Sequence, residues 1–442
     1  MIQLDFDAII IGAGPGGYAT AIRLGQKGKK VLLLEKDRIG GECLNYGCIP
    51  SKALIELSHS ISHLKGLPGI SMDLKINLPE WQNWKWNMIG KLTGGIEALC
   101  KAYGITVEKG EASIKDKNHV TVNGRDYSCE NMVIATGSSP VKFESMKDVL
   151  FNREILDIQE IPSELVIIGG GYIGVELGTA FAKLGSAVTI IEMMENILPE
   201  VERDLVKPVE RRLRDLGIKV MVSTRVDSVS KKDRYHIKLG TGTIIDAEAV
   251  LLTVGRKPNV SGFGLENLNL EMDKGFIKTD SHKRTSVPGV YAVGDVSGQP
   301  MLAHKAYYDA EIVADNIAGG NSEVEYRAMP YVIYSDPEIS YTGDLSGKFG
   351  SFPAAANGRS LGMNNNLGTY RIYYDERGFV KGAGIVAPHS SELISEVTLA
   401  IESGLMAMDI GLTIHPHPTV SEGLKEAAES TYGKPLHFKP RD

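Results

Sequence analysis

Short apolar runs that stop at glycine set the rhythm of this chain. Ala8-Ile9-Ile10-Ile11 runs into Gly12-Ala13-Gly14-Pro15-Gly16-Gly17. A helical stretch follows from Tyr18 to Lys27, and Val31-Leu32-Leu33-Leu34 then ends at Glu35. Unbroken apolar runs of this length, bounded by turn residues, predict buried strands. The same succession returns at Val166-Ile167-Ile168, through Gly169-Gly170-Gly171-Tyr172-Ile173-Gly174 and a helix, to Val188-Thr189-Ile190-Ile191 and Glu192. Gly12 to Glu35 and Gly169 to Glu192 are equally spaced. Each unit also closes on a strand and glycine turn, Val133-Ile134-Ala135-Thr136-Gly137 in the first and Val250-Leu251-Leu252-Thr253-Val254-Gly255 in the second. Two copies in matched register predict two related domains. A third strand-and-turn, Gly289-Val290-Tyr291-Ala292-Val293-Gly294-Asp295, predicts a return to the first domain. The chain is thus expected to leave that domain near 150, build the second, and come back near 263.

Strand, glycine loop, helix, second strand and terminal acid form a dinucleotide-binding pattern. Gly12 makes the tight turn, Gly14 lets a pyrophosphate approach the backbone, and Gly17 permits close helix–strand packing. Glu35 is placed to accept hydrogen bonds from a ribose. Gly169, Gly171, Gly174 and Glu192 repeat the set. After Glu192 come Met193, Met194, Glu195 and Asn196, with no arginine to hold a 2′-phosphate, so NAD is expected there rather than NADP.

Directly after the first unit stands Gly40-Gly41-Glu42-Cys43-Leu44-Asn45-Tyr46-Gly47-Cys48-Ile49-Pro50-Ser51-Lys52. Pro50 suits the first turn of a helix, which puts Cys48 near the positive helix end and favours its thiolate. A cytosolic thiol pair of this kind is more often catalytic than structural. The first cofactor must then exchange electrons with sulfur, which flavin does, so FAD is expected in the first site with Asp295 on its polyol chain. The two other cysteines, Cys100 and Cys129, are expected to be buried and inert. Near the C-terminus His417 precedes Glu422 at the start of an apparent helix, where the carboxylate would orient the imidazole as a base. His415 and His304 are expected to be structural or to act through neighbours.

Composition narrows the class further. The chain has 442 residues and a net charge of −7 with no basic cluster, which argues against nucleic acid as a partner. No apolar run reaches the length of a membrane span, and the N-terminal run is too short for a signal sequence, so a cytoplasmic location is expected. Trp81, Trp84 and Trp86 crowd one predicted helix, and packing in a helix face accounts for them better than a partner patch does.

Taken together, the cysteine run, both glycine motifs, Ala135-Thr136-Gly137, Gly294-Asp295 and His417-Pro418-Thr419 to Glu422 resemble the flavin-dependent disulfide reductases. The detailed resemblance is to the dihydrolipoamide dehydrogenase branch, the E3 component of 2-oxo acid dehydrogenase complexes. It implies an α/β fold of two Rossmann-like domains with an α+β interface domain. The FAD domain would occupy 1–146, an inserted NAD domain 147–262, a central domain that completes the FAD site 263–327, and the interface domain 328–442. It implies a homodimer in which the histidine serves the thiol pair of the other subunit, and no metal. By position, Cys43 would be the interchange thiol and Cys48 the charge-transfer thiol. Lys52 would lie near the flavin and pair with Glu176. Ala112, Thr136, Gly137 and Ala303 would touch FAD, and Val226 and Gly255 would surround NAD. The implied reaction oxidises dihydrolipoamide, carried on a separate lipoyl protein such as the E2 of a 2-oxo acid complex or the glycine cleavage system, and reduces NAD+. An NADH-dependent reductase of another disulfide and a non-catalytic flavoprotein sensor are the alternatives. Glutathione-type reductases would want arginines after the second strand, and mercuric reductases a C-terminal cysteine pair. Two departures stand out: Tyr46 inside the thiol loop, where relatives often carry an aliphatic residue, and a helical segment largely missing from Tyr341 to Gly350.

Overall fold

The computed structural model describes residues 4–71 and 73–439. Strand Phe6–Ile11 is the centre of a seven-stranded sheet. Val31–Glu35 and then Thr106–Lys109 lie parallel on one side of it, and Arg125–Ile134 lies parallel on the other. Strand order therefore reverses at the end of Phe6–Ile11, and the glycine loop opens there, at the crevice where doubly wound sheets bind ligands. The unbroken apolar run follows from burial on both faces. Ala8 and Ile10 join one hydrophobic cluster under the helices, while Phe6, Ile9 and Ile11 join another on the opposite face. Val290–Ala292 pairs parallel with Arg125–Ile134, so the third strand-and-turn does come back to the first sheet.

The second unit repeats the plan. Strands Lys219–Met221, Ala187–Ile191, Glu164–Ile168 and Ala249–Leu252 form a four-stranded parallel sheet in that order. A short antiparallel pair, Ser138–Pro140 with Arg256–Pro258, ties the two units together. Helix Cys48–Gly66, which begins at the second thiol, packs against helix Tyr172–Leu184, which begins at the second glycine loop. Tertiary packing thereby brings both motifs to one place.

Beyond residue 330 lies a five-stranded antiparallel sheet in the order Tyr331–Ile333, Ile339–Gly343, Val380–Val386, Thr369–Tyr374, Phe349–Pro353. Helices Ser390–Glu402 and Glu422–Thr431 cover one face. On the other face Leu205, from helix Arg203–Asp215 of the second unit, seats against Gly384. No helix lies between Ile339–Gly343 and Phe349–Pro353; a short loop crosses, held by Lys381 Nζ on Asp344 Oδ2 at 2.9 Å. Of the three tryptophans, Trp81 packs against the core and Trp86 is half-buried, while Trp84 is 54% exposed. Cys100 and Cys129 are buried.

A buried ionic cluster joins the thiol-bearing helix, the second unit and the C-terminal unit. Asp336 accepts from Lys183 Nζ at 2.6 Å and Arg212 Nε at 2.9 Å, and His59 lies beside them with Nε2 unpartnered. Burial alone would raise the Asp336 pKa, but Lys183 and Arg212 hold it at about 2, against 3.8 for a free carboxyl. The anion is thus favoured by the fold. That contribution is complete above the free carboxyl's pKa and is lost as pH falls toward 2. His59 adds a loss in the same direction at higher pH. Burial, then Lys183, lower it from 6.5 to about 4, so the unfolded chain takes up the proton first and stability drops from pH 6.5 to 4. Unfolding free energy from urea titrations should accordingly decline in two acid steps. Asp336→Asn should abolish the lower step and cost about 3 kcal/mol at neutral pH, because Lys183, its side chain 2% exposed, loses its counter-ion. An unchanged lower step would disprove this account.

Candidate active site

The first glycine loop opens onto a cavity of about 760 Å³ whose walls come from both nucleotide units. Gly12, Gly14, Glu35, Ala112, Thr136, Gly137, Asp295 and Ala303 all line it, and so do Cys43, Cys48, Lys52 and Glu176. The loop is shaped for a phosphate. A side chain at Gly14 would meet no atom within 4 Å, so the backbone faces open space, whereas one at Gly17 would stand 1.8 Å from the Gly12 carbonyl oxygen. Helix Pro15–Gln26 starts at Gly14 with no side-chain cap, leaving its N-terminal N–H groups for an anion. Glu35 is held in place by its own backbone neighbours, Ala13 N donating to Oε2 at 2.7 Å and Asp37 N to Oε1 at 2.8 Å. Asp295 accepts from Ser138 Oγ at 2.5 Å, and Arg256 donates to Ser138 Oγ and to its carbonyl at 2.8 Å each. Cavity size, the open glycine backbone and the ordered acid fit a dinucleotide.

Both thiols are free. The Cys43 thiol donates to Cys48, and this asymmetry splits the pair. Cys48 is lowered by that hydrogen bond and, against the effect of burial, by the Lys52 ammonium. Cys43 is pushed far up by the same hydrogen bond and by burial. Both sulfurs line the cavity, Cys48 the more exposed of the two, so the thiol whose ionised form is favoured is open to it. Lys52 Nζ pairs with Glu176 Oε2 at 2.8 Å and lies 4.5 Å from the Tyr334 ring. Burial would lower the Lys52 pKa, yet Glu176 more than restores it. The backbone N–H of Tyr334 donates to Glu176 Oε1 at 2.9 Å, so the C-terminal unit touches this pair as well.

The second glycine loop copies the first. Gly169 has φ +109°, a side chain at Gly174 would stand 2.1 Å from the Gly169 carbonyl oxygen, and Gly171 faces open space. Glu192 accepts from Gly170 N at 2.6 Å and Met194 N at 2.7 Å, the counterpart of the Glu35 geometry. Gly255 follows strand Ala249–Leu252, and Val226 is buried at the start of its own strand. Tyr172 and Ile173, the first residues of the helix after this loop, line the first cavity, so the two sites share a wall.

His417 and Glu422 form a pair, Nδ1 to Oε1 at 2.9 Å, and Glu422 Oε2 also accepts from Thr419 N at 2.9 Å. Burial would raise the Glu422 carboxyl, but Thr419 N–H and His417 keep it below its ordinary value. His417 is 79% exposed and neither it nor Glu422 lines the cavity. Within one chain the base and the thiols are therefore not brought together. His415 Nε2 donates to Glu396 Oε1 at 3.1 Å, and His304 Nε2 donates to the Pro330 carbonyl at 2.8 Å, as structural histidines do. Sequence reasoning missed Ser138, Arg256, Asn152, Arg153 and Tyr334 around the cavity. They lie in three-residue strands, a one-turn helix and the exit of a short strand, elements too short for a period or motif to mark them; their contacts arise where distant segments of the chain cross.

Comparison with known proteins places these features in context. The family model for pyridine nucleotide-disulphide oxidoreductases matches residues 6–310, and that for the family's dimerisation domain matches 329–428. Dihydrolipoyl dehydrogenases of Staphylococcus aureus and Bacillus subtilis are each 41% identical, with 98% of this chain and 98% of the relative covered. Among solved structures, LpdA of Mycobacterium tuberculosis superposes with a TM-score of 0.89 at 25% identity, covering 96% of this chain and 99% of its own. The HOCl-induced flavoprotein disulfide reductase RclA of Escherichia coli superposes with a TM-score of 0.87 at 26% identity over the same shares.

Proposed function

Since the chain belongs to the pyridine nucleotide-disulphide oxidoreductases, we propose that it is the dihydrolipoyl dehydrogenase of that family, oxidising dihydrolipoamide and reducing NAD+. The observation that carries this reading is the Cys43–Cys48 pair lining a dinucleotide cavity, with the Lys52–Glu176 ion pair on the same wall and Cys48 the sulfur whose ionised form is favoured. In the reaction, a substrate thiolate attacks Cys43 Sγ of the Cys43–Cys48 disulfide, and Cys48 leaves as thiolate, steadied by Lys52. The second substrate thiol gives up its proton and attacks the substrate sulfur bound to Cys43, closing the lipoyl ring and releasing Cys43. His417 of the partner subunit takes the proton from each attacking thiol and returns one to Cys43. FAD, held by the first glycine loop, Glu35 and Asp295, would supply the two-electron carrier between the dithiol and NAD+, so lipoamide, NADH and one proton would be the net products.

The C-terminal dimerisation domain makes the enzyme a homodimer. Leu399, Leu412 and Ile414 stand exposed on that domain, apolar surface of the kind a partner covers. For the chain's own residues we assign Gly12, Gly14, Gly17, Glu35, Lys52, Ala112, Thr136, Gly137, Asp295 and Ala303 to FAD. Gly169, Gly171, Gly174, Glu192, Val226 and Gly255 go to NAD. The boundaries 1–146, 147–262, 263–327 and 328–442 divide the chain accordingly. No described helix is long and apolar enough to cross a membrane, and we place the enzyme in the cytoplasm, working on a lipoyl group of a separate E2-type protein.

The test is NADH formation from dihydrolipoamide, with NAD+ and NADP+ compared. Because Glu192 and its neighbours would repel a 2′-phosphate, NAD+ should be preferred roughly tenfold or more in kcat/KM. Absence of turnover, with NADH still bleaching the flavin, would move the substrate to another disulfide.

A further inference from the structure

Helix Gly41–Tyr46, which carries Cys43, has six residues and no side-chain cap, too short to hold itself. Its support comes from the segment that leads into the second unit. Asn152 Nδ2 donates to Glu42 Oε1 near the start of the helix and to the Tyr46 carbonyl at its end, both at 2.8 Å. Arg153 donates to Glu42 Oε2 through Nε at 3.0 Å and Nη2 at 2.6 Å, and to Asp37 Oδ2 through Nη1 at 3.2 Å. Its guanidinium lies 3.9 Å from the centre of the Tyr46 ring. The edge of that ring meets Trp86 at a centroid separation of 6.3 Å and an angle of 72°. Trp86 in turn lies against Arg38 at 4.9 Å and Lys85 at 4.6 Å, and its Nε1 donates to Asp157 at 2.7 Å. Both ends of the thiol helix are thus pinned to 152–157. Phe151, Asn152, Arg153 and Glu154 line the cavity, and Tyr46 does not.

We propose that Tyr46, held between the Arg153 guanidinium over its face and Trp86 in an edge contact, is a positioning residue for the interchange thiol. With Glu42 and Asn152 it fixes the backbone beneath Cys43, so that Sγ changes partner, from Cys48 to a substrate sulfur and back, by side-chain rotation alone. Disulfide exchange is an in-line displacement among three sulfurs, and its rate depends on that alignment. The residue that departs from the family pattern in the thiol loop is therefore the anchor through which the linker to the second unit holds the loop. The proposal rests on the reading that Cys43 meets the disulfide substrate.

Two substitutions separate the ring from its hydroxyl, which faces Asp37. Tyr46→Phe keeps the stack and Tyr46→Leu removes it. In the holoenzyme, Tyr46→Leu should lower kcat with dihydrolipoamide roughly tenfold or more. It should also weaken the long-wavelength absorption of the two-electron-reduced protein, which reports Cys48 thiolate against the flavin. Tyr46→Phe should stay within about twofold of the parent on both readouts, as expected when the aromatic face carries the cation contact. Arg153→Met, which also removes the bonds to Glu42 and Asp37, should lower kcat at least as far as Tyr46→Leu does, and adding Tyr46→Leu to it should cost little more, because the ring contact is then already gone. Parent-like behaviour of Tyr46→Leu on both readouts would overturn the proposal. So would a Tyr46→Phe as damaged as Tyr46→Leu, or a parallel loss of NADH-to-dye electron transfer, which bypasses the thiols and reports general damage. Failure of the functional reading looks different: the parent itself would not turn over dihydrolipoamide, while the absorption would still rank the Tyr46 variants.

Discussion

Cys48→Ser is expected to end dihydrolipoamide oxidation, to below about a thousandth of the parent rate, with FAD still bound. A thousandfold loss corresponds to roughly 4 kcal/mol of transition-state stabilisation, and the physics here supplies more than that. Serine cannot form the disulfide that the substrate attacks, and its hydroxyl cannot supply the thiolate that the Cys43 hydrogen bond and Lys52 favour at Cys48. The substitution is nearly isosteric and the cavity walls around it are otherwise intact, so the flavin-to-protein absorbance ratio should not change. The partner experiment sharpens the point. In Cys43→Ser the serine hydroxyl can still donate to Cys48, so Cys48 should remain a thiolate and give long-wavelength absorption without any reductant, although turnover is lost. More than a few per cent of turnover in Cys48→Ser would sink the electron path through this sulfur.

His417→Gln should lower kcat with dihydrolipoamide by about 10²–10⁴-fold, the range for loss of a positioned general base. The deficit should shrink as pH rises, because the substrate thiol then ionises without help and needs no base. Electron transfer from NADH to a dye should be unaffected, since His417 lies outside the cavity. Glu422→Gln should do less, roughly tenfold, because a neutral amide still orients the imidazole but no longer steadies its protonated form. A His417→Gln variant whose rate deficit is constant across pH 6 to 9 would mean that the residue orders the dimer rather than moves a proton. Analytical ultracentrifugation of the same variant distinguishes the two.

How much of this was legible beforehand depends on range along the chain. The apolar runs at Ala8–Ile11 and Val166–Ile168 announced buried strands because a strand buried on both faces has no polar positions to interrupt it. Gly12, Gly17, Gly169 and Gly174 could be read because no side chain fits where their backbones pass. Even the absent helix after Gly343 was visible as missing residues. The cluster around the cavity was not legible. Asn152 and Arg153 stand more than a hundred residues from Glu42, and Arg256 stands further from Ser138 than any local pattern reaches. The tryptophans show the limit of a local reading: one helix carries all three, yet one is half-buried against the core, one is a cation-stacked prop and one is open to solvent.

By itself, then, the sequence determined the strands, the glycine turns and the two nucleotide units, and it named the candidate reacting groups. Those depend on contacts within a few residues, on covalent spacing and on the steric demand of a single backbone position. The helix start had already favoured the Cys48 thiolate; only the tertiary structure decided what surrounds it, the Cys43 thiol first and then the Lys52 ammonium, which Glu176 holds across the packing of two helices, with Tyr334 added from the C-terminal unit. It decided too that His417 points away from the thiols of its own chain, and that a six-residue helix is held at both ends by the linker to the second unit. Electrostatic and positional control of this kind is set by through-space distance, which the order of residues along the chain does not specify.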